Sequence, residues 1–451
     1  MTAGNHLFSE FKKVSSKAWK QKIQVDLKGE DYQKLITRTL EKIDIKPFYH
    51  YDDYRPFEQY APQHFQIVQE LKINNEKVAH AIISKALIKG GQKFSLNFDK
   101  TFDIDTLIQN IPVQQLIFKA DMLDTDFIKK LYQKTGGKSP ILLDPIGHFA
   151  RFGNWYENET KDFEKLRELQ RFFPQNFFFL EIRANLYKNA GAHITQELAY
   201  ALSHAIEYLE KLGANTTFQI IFNFAAGSHY FFEIAKLKAL RTLWQLIQNE
   251  YNTHAKTYIF AQPTLRNKTI FDPYVNMLRT TMEMMSSILG GADWVANMPY
   301  DYIFNKSNEF SERIARNQLI ILKEEAGFEK ALQASLGNYY LEETTRHIAS
   351  KVLEIFKQIE AANGFINQLY KGKIQQKITE SAQKEQKDFD NGKIILVGTN
   401  KYINKNEKPE AINRYPFVKK RKGQTLVPPI VPKRLAEKTE MERLKSLGIR
   451  L

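Results

Sequence analysis

The sequence has no cysteine among its 451 residues. That absence excludes disulfides, thiolate catalysis and cysteine-bound metals, and it favours a cytoplasmic protein. No apolar run approaches the ~18 residues that a membrane helix needs. The opening stretch "MTAGNHLFSEFKKVSSKAWKQ" also lacks the apolar core of a secretory signal. We therefore expect a cytoplasmic globular protein with no membrane partner.

Familiar catalytic and metal-binding motifs are missing as well. The ten histidines form no H-x-x-x-H pair, so no metal site is predicted. No G-x-S-x-G is present for a hydrolase. The stretch "KTGGKSP" (134–140) resembles a phosphate loop, but Tyr132 stands where that loop needs glycine, and the stretch precedes a strand. A polar turn is the better interpretation.

Acidic residues are fewer than basic ones, and the imbalance is local. The net charge is +14, yet residues 401–451 alone hold 14 Lys and Arg against 5 Glu, which leaves only +5 for the other 400 residues. The prolines of this segment predict an extended arm, and a short helix is expected at 436–447. A solvated tail or a strap on a partner protein fits this pattern better than a nucleic-acid contact, so no nucleic-acid partner is predicted.

Eight short β-prone runs alternate with helical periodicities along the chain. The runs are "FQIVQEL" (66–72), "KFSLNF" (93–98), "QLIFKA" (115–120), "PILLDP" (140–145), "FFFLEI" (177–182), "FQIIFNF" (218–224), "TYIFAQ" (257–262) and "DWVAN" (293–297). This pattern predicts an α/β fold, a (β/α)8 TIM barrel. A doubly wound sheet usually needs fewer units and a glycine-rich first turn, which is absent. Whether side chains fill the barrel lumen stays open, because the runs differ in how bulky their alternating positions are.

The chain divides into three predicted parts. Residues 1–60 form an N-terminal arm, with an amphipathic helix in "YQKLITRTLEKI" (32–43). Residues 61–402 form the barrel with trailing C-terminal helices and a closing strand "KIILVGTN" (393–400), and residues 403–451 form the basic linker or tail. The methionines of "VNMLRTTMEMMSSIL" (275–289) recur at helical spacing, for which packing in the core is the default interpretation.

Seven fragments in the right order and at fitting intervals resemble one known family. They are "AGAHITQELAYAL", "FFEIAKLKALRTLW", "DPYVNMLRTT", "ILGGADW", "SERIARNQLIILKEEAG", "GNYYLEETT" and "ITESAQKEQKDFDNGKIILVGTNKY". From about Trp19 to Tyr402 the chain is similar to the barrel chain of the methylmalonyl-CoA mutase family, the cobalamin-dependent acyl-CoA isomerases. The resemblance implies the family's barrel fold.

The departures from the family pattern concern its histidines. Where catalytic chains read G-Y-H-x-x-E-A-G-A, this sequence reads "ANLYKNAGA", with Leu186 at the histidine. The family's H-x-Q-T-S-G is here "FAQPTL", which puts Phe260 at the histidine and keeps Gln262. The family's L-G-G-x-x-S-L-H-T-N is here "LGGADWVANM", with Ala296 at the histidine. Loss of one such preorganised donor typically costs ~3 kcal/mol of barrier, so these degenerate positions predict no catalytic residue in this chain.

The resemblance implies a small, non-catalytic subunit of a heterodimeric methylmalonyl-CoA mutase. Its large partner chain would bind adenosylcobalamin and interconvert methylmalonyl-CoA and succinyl-CoA. This chain has no D-x-H-x-x-G for the lower cobalt ligand and no cobalamin-binding domain after the tail, so no bound cofactor is expected. The family also implies contact with the large chain through the N-terminal arm, for which Trp19 and Phe48 are candidate anchors.

Two other functions stay open at this stage. The barrel could itself act as an acyl-CoA mutase with a cobalamin domain supplied in trans, although the three lost histidines argue against that. It could instead hold CoA or an acyl-CoA as a regulatory binding module. Equilibrium binding of an acyl-CoA distinguishes the regulatory binding module from a non-catalytic subunit that binds no acyl-CoA.

Overall fold

Eight parallel strands close into a barrel in chain order, with the last strand pairing to the first. They are β1 Gln66–Lys72, β2 Lys93–Phe98, β3 Leu116–Ala120, β4 Ile141–Leu143, β5 Phe178–Ile182, β6 Phe218–Ala226, β7 Thr257–Pro263 and β8 Trp294–Val295. The computed structural model describes residues 10–55, 62–174, 177–213, 218–253, 255–409, 411–419 and 423–449. All eight predicted strands are confirmed, and with them the (β/α)8 barrel. The predicted boundary at 60/61 lies outside the described residues.

Helices surround the barrel and continue beyond it. In the described ranges they are α1 Ser16–Asp26, α2 Glu76–Ile88, α3 Ile104–Ile108, α4 Thr125–Lys134, α5 Pro145–Phe152, α6 Glu159–Phe172, α7 Ala184–Ala190, α8 Ile194–Leu212, α9 Tyr230–Glu250, α10 Val275–Leu289, α11 Glu309–Ile320, α12 Tyr339–Ala361, α13 Gly364–Tyr370, α14 Lys373–Asp390 and α15 Glu437–Ser446. The capping residues explain several starts: the side chain of Asn75 accepts a bond from Val78 N, and that of Asp124 accepts one from Phe127 N. No helix in the described ranges is both long enough and apolar enough to cross a membrane.

The lumen of the barrel contains its own apolar layer, separate from the core between strands and helices. The buried side chains of this layer are Val68, Ile117, Leu142, Phe179, Ile221, Phe260, Trp294 and Ala296. Burying one such large side chain stabilises the fold by roughly 1.5–3 kcal/mol. The sequence left open whether side chains fill the barrel lumen. At the level of this apolar layer they do.

Two predicted elements are wrong. Residues 32–43 form a 3₁₀ turn and the first half of a small hairpin between Thr37–Arg38 and Asp44–Ile45, with Lys42 in the left-handed region at its turn (φ 61°). The run 393–400 is not a strand and makes one isolated bridge, between Val397 and Lys401. Its β-prone composition has no sheet edge to join, because β8 already pairs with β1 and a closed barrel has no free edge.

The basic tail is packed on its own barrel over much of its described length. Its helix α15 confirms the predicted helix at 436–447. Backbone bonds join Val427 N to Gly153 O (3.1 Å), Ile430 N to Ala150 O (2.9 Å) and Leu435 N to Arg266 O (2.9 Å). The expectation of a solvated tail is therefore wrong for this part, since Val427, Ile430, Leu435 and Leu444 are buried.

Candidate functional site

A cavity of about 440 Å³ lies at the carboxyl ends of the strands. This end of a (β/α)8 barrel is where such folds place their active sites. Its walls come from Glu70, Lys72, Asn97, Phe98, Asp99, Lys119, Asp121, Arg151, Arg183, Asn185, Leu186, Asn189, Asn223, Gln262, Pro263, Leu265, Ala296, Asn297, Met298, Pro299, Tyr302, Glu312, Arg414 and Pro432. Arg414 and Pro432 belong to the tail, so the tail forms part of the wall.

A buried ionic network lies in the upper lumen, around the carboxylate of Glu181. Lys119 Nζ lies 2.9 Å from Glu181 Oε1, Arg183 Nε donates to Oε2 at 3.2 Å, and Asn223 Nδ2 donates to Oε1 at 2.8 Å. Arg183 uses its other nitrogens on Asp121 Oδ1 (2.8 Å) and Ala120 O (3.0 Å). All the guanidinium nitrogens of Arg183 are therefore engaged within this chain.

The network keeps its members ionised in spite of their burial. Burial opposes charge on Glu181, but Lys119 and Arg183 outweigh it, so the pKa of the carboxyl lies below its ordinary value. Burial likewise opposes charge on Lys119, and Glu181 together with Glu70 raises the pKa of the ammonium above its ordinary value. Burial also opposes charge on Asp121, but a hydrogen bond from His148 and the charge of Arg183 outweigh it and lower the pKa of that carboxyl. Glu181, Lys119 and Asp121 thus behave as a structural ion cluster, since none of these three groups has a pKa moved toward neutrality.

The three degenerate positions all face the barrel interior, at different depths. Leu186 lies on α7 and lines the cavity, as does Ala296, which directly follows β8. Phe260 lies deeper, in the apolar layer, where its ring is 5.2 Å from Lys119 Nζ and 6.2 Å from the ring of Trp294. The structure thus brings Leu186 and Ala296 to the lining of the same cavity and places Phe260 in the apolar layer beside Lys119.

The stretch "ANLYKNA" (184–190), which contains Leu186, forms the short helix α7. Tyr187 points into the protein, where its hydroxyl lies 2.9 Å from Nδ1 of the buried His204. Neither Tyr187 nor Lys188 lines the cavity, whereas Asn185 does and donates to Gln262 Oε1 at 3.3 Å. Gly191 ends the helix with φ 111°, a backbone conformation that favours glycine. No relocated nucleophile or base is found among these residues.

Sequence reasoning missed the charged network itself. A usable signal was present, because Lys119 and Glu181 are single charges inside otherwise apolar strands. Charged residues are almost never fully buried unless they are paired. Two lone charges of opposite sign on lumen-facing positions of different strands therefore predict an ion pair.

The fold and the cavity define the class: a (β/α)8 barrel with a cavity at the carboxyl ends of its strands. The family model for methylmalonyl-CoA mutase matches residues 136–441. The small subunit of methylmalonyl-CoA mutase from Porphyromonas gingivalis is 33% identical over 446 residues, with 88% of this chain and 71% of the relative covered. This chain belongs to the methylmalonyl-CoA mutase family.

Two further relatives show how much of the family's length is represented. The methylmalonyl-CoA mutase of Cereibacter sphaeroides is 28% identical, with 87% of this chain and 65% of the relative covered. The small subunit of methylmalonyl-CoA mutase from Streptomyces virginiae is 31% identical over 298 residues, with 62% of this chain and 47% of the relative covered. The chain therefore spans between about half and about 70% of the length of these relatives.

Proposed function

We propose that this chain is the small, non-catalytic subunit of a heterodimeric, cytoplasmic methylmalonyl-CoA mutase. The larger chain would bind the acyl-CoA and adenosylcobalamin and interconvert methylmalonyl-CoA and succinyl-CoA. One observation carries the proposal: the lumen of this barrel is occupied by an apolar layer and by an ionic network whose charged members pair with one another. A site for thioester rearrangement needs free, preorganised donors in that space.

The residues present do not fit adenosylcobalamin. The cavity wall, as far as the structure describes it, includes no histidine that could ligate cobalt or donate to a thioester carbonyl. The sequence "DPIGHFARFG" (144–153) has a different spacing from D-x-H-x-x-G, and its Asp144 is buried as the acceptor of His204 Nε2 (3.0 Å), Tyr208 Oη (2.8 Å) and Gly147 N (2.8 Å). We therefore assign the cofactor to the larger chain and derive no chemical step for this one.

The N-terminal arm supports a role in assembly. Helix α1 has no buried residue, so it packs little on its own chain. Trp19 stacks on Phe48 with ring centroids 4.7 Å apart and stays 44% exposed. A preordered, half-exposed aromatic pair is the kind of anchor that protein interfaces use. Deleting residues 1–30 should therefore weaken co-purification with the larger chain, and unchanged assembly would count against this role of the arm.

Turnover of the separated chains tests the proposal. The isolated chain, given adenosylcobalamin and methylmalonyl-CoA, should form no succinyl-CoA, and the complex with the larger chain should form it. Rearrangement by the isolated chain would refute the proposal. Turnover that appears only when a separate cobalamin domain is added would favour the alternative in which this barrel works in trans.

The cavity gives the regulatory alternative one specific observation in its favour. Its volume of about 440 Å³ lies within the range of small-molecule sites, and Lys72 and Arg151 add positive charge to its wall. Equilibrium binding of radiolabelled methylmalonyl-CoA to the isolated chain decides between the two. Saturable binding that is lost in Arg151→Ala would support an acyl-CoA sensor, and absence of binding would support the silent subunit.

A further inference from the structure

Helix α10 presents an apolar face to solvent, which is unusual for an outer helix of a barrel. Its exposed positions are Leu278 (68%) and Met282 (50%), one turn apart on the same side. The sequence interpretation placed the methionines of this helix in the core; Met284 is buried there, but Met282 is not. An outer helix normally carries charged and polar residues on its solvent side.

Both charges of α10 point toward the protein. Glu283 is buried and pairs with Lys268 Nζ at 2.8 Å. Arg279 donates from Nη1 to Thr269 Oγ1 (2.9 Å) and from Nη2 to Val397 O (2.8 Å). The outward side of α10 therefore holds no charge at all. By contrast, the exposed positions of α6 are Thr160, Lys161, Glu164, Glu168 and Arg171.

The segment that Arg279 holds against α10 extends the apolar surface. Ile395, Val397, Tyr402 and Ile403 are all exposed in it. We call these four together with Leu278 and Met282 the α10 face. At their exposures they present on the order of 600 Å² of largely apolar surface, at the upper end of the largest patches on typical monomers and close to the ~800 Å² per partner of a standard interface.

The charges around the α10 face select the kind of partner. Residues 393–409 contain four lysines and one acid, and Lys401, Lys405 and Lys408 are exposed. The acid, Glu407, already accepts a bond from Asp272 N (2.5 Å) and lies 3.7 Å from Arg443. A second copy of this chain would bring two such basic rims together, and each copy carries a net charge of +14. The complementary surface is apolar at its centre and acidic at its rim.

We infer that the α10 face is a docking surface for the larger mutase chain, whose contacting surface has an apolar centre and an acidic rim. The inference rests on the proposed function, since a small subunit needs a larger partner. It adds to the N-terminal arm a second contact on the barrel itself, where Met282 and Leu278 insert as adaptable apolar anchors.

Affinity for the larger chain of the same organism tests the inference. Leu278→Asp and Met282→Asp should each weaken binding by about 10-fold or more, because a charge would be desolvated at the centre of the interface. Val78→Asp on α2, at a position 59% exposed, is the matched control and should bind within about 2-fold of wild type. Circular dichroism and melting curves of all three variants verify that they are folded. Lys405→Glu should slow association, and more so at low salt.

The outcomes separate this inference from the proposed function. If Leu278→Asp and Met282→Asp bind as tightly as wild type, the α10 face is not the docking surface, while the subunit assignment stands. If the wild-type chain does not bind the larger chain at all, both fail. If the isolated chain dimerises and Leu278→Asp disperses the dimer, a second copy covers the face and the inference is overturned.

Discussion

Replacing Lys119 with methionine should destabilise the protein strongly, because Glu181 would keep its burial and lose its nearest counter-charge. Glu181 is completely buried, and its 2.9 Å pair with Lys119 is one of two ion pairs at that carboxylate. Removing one member of a buried pair typically costs about 3–5 kcal/mol. Since Arg183 remains 3.2 Å away, we expect the lower end, about 3 kcal/mol. With an unfolding entropy of ~2 cal/mol/K per residue, a chain of this length should melt roughly 3 °C lower.

Chemical denaturation of the isolated chain and a melting curve measure this change. Lys72→Met is the matched control, because Lys72 lies on the same cavity wall and its 2.6 Å pair with Asp99 is half-exposed. That variant should lose less than about 1 kcal/mol. A double variant, Lys119→Met with Glu181→Gln, should recover part of the loss, because it removes the buried carboxylate that has lost its nearest counter-charge. Equal stability of the two single variants would refute the view that the upper lumen is a structural ion cluster.

Three further expectations follow from other parts of the structure. Burial raises the pKa of Glu312 to about 7, so the stability that its protonated form contributes is complete below pH ~4.5 and is lost as the pH rises through 7. In urea denaturation, the free energy of unfolding of Glu312→Gln should exceed that of wild type by up to about 3 kcal/mol at pH 8 and equal it at pH 4.5. A difference that does not change with pH would contradict the raised pKa. Phe260→Ala should cost about 3–5 kcal/mol by opening a cavity in the apolar layer, and a loss below 1 kcal/mol would mean that the layer is not packed. Arg434 holds the tail on the barrel, because it donates to Lys268 O (3.0 Å) and Pro416 O (3.2 Å) and lies 2.6 Å from Glu440 Oε2. Arg434→Ala should therefore loosen the tail and speed tryptic cleavage after Lys433. An unchanged cleavage rate would contradict the docking of the tail on the barrel.

Local patterns predicted the barrel well, because every strand has a clear local signal. "FFFLEI" and "FQIIFNF" are short apolar runs between helical periodicities, as expected for parallel strands covered on both sides. Leu186, Phe260 and Ala296 could also be singled out from the sequence, through the motifs in which they lie; that these positions have lost a catalytic histidine stays a prediction. That they all face the barrel interior follows from the same motifs.

Elements decided by distant contacts could not be predicted. The apolar spacing of residues 32–43 fits a helix, yet Ile43 is buried as part of a small hairpin. The tail reads as solvated because it is basic and rich in proline, but Arg434 and Glu440 neutralise each other in the interior, and no local pattern reports that pairing. On α10 the prediction failed in the opposite direction, because Met282 was expected in the core and is exposed. Helical spacing indicates which residues share a face, but the packing of neighbouring elements decides which of them meet solvent.

On the proposed function, the filled part of the lumen would make a loss of catalysis hard to reverse. Placing histidines at Leu186, Phe260 and Ala296 would supply three donors, but Lys119 and Arg183 would still be bound to Glu181 and Asp121 above the apolar layer. A substrate carbonyl would have to displace those pairs, at a cost comparable to breaking a buried ion pair. Free donors in a dry site are destabilising, and a chain relieved of catalysis can replace them with packed and paired groups. The barrel would then persist for its outer surface, where we propose the arm and the α10 face as contacts with the larger chain.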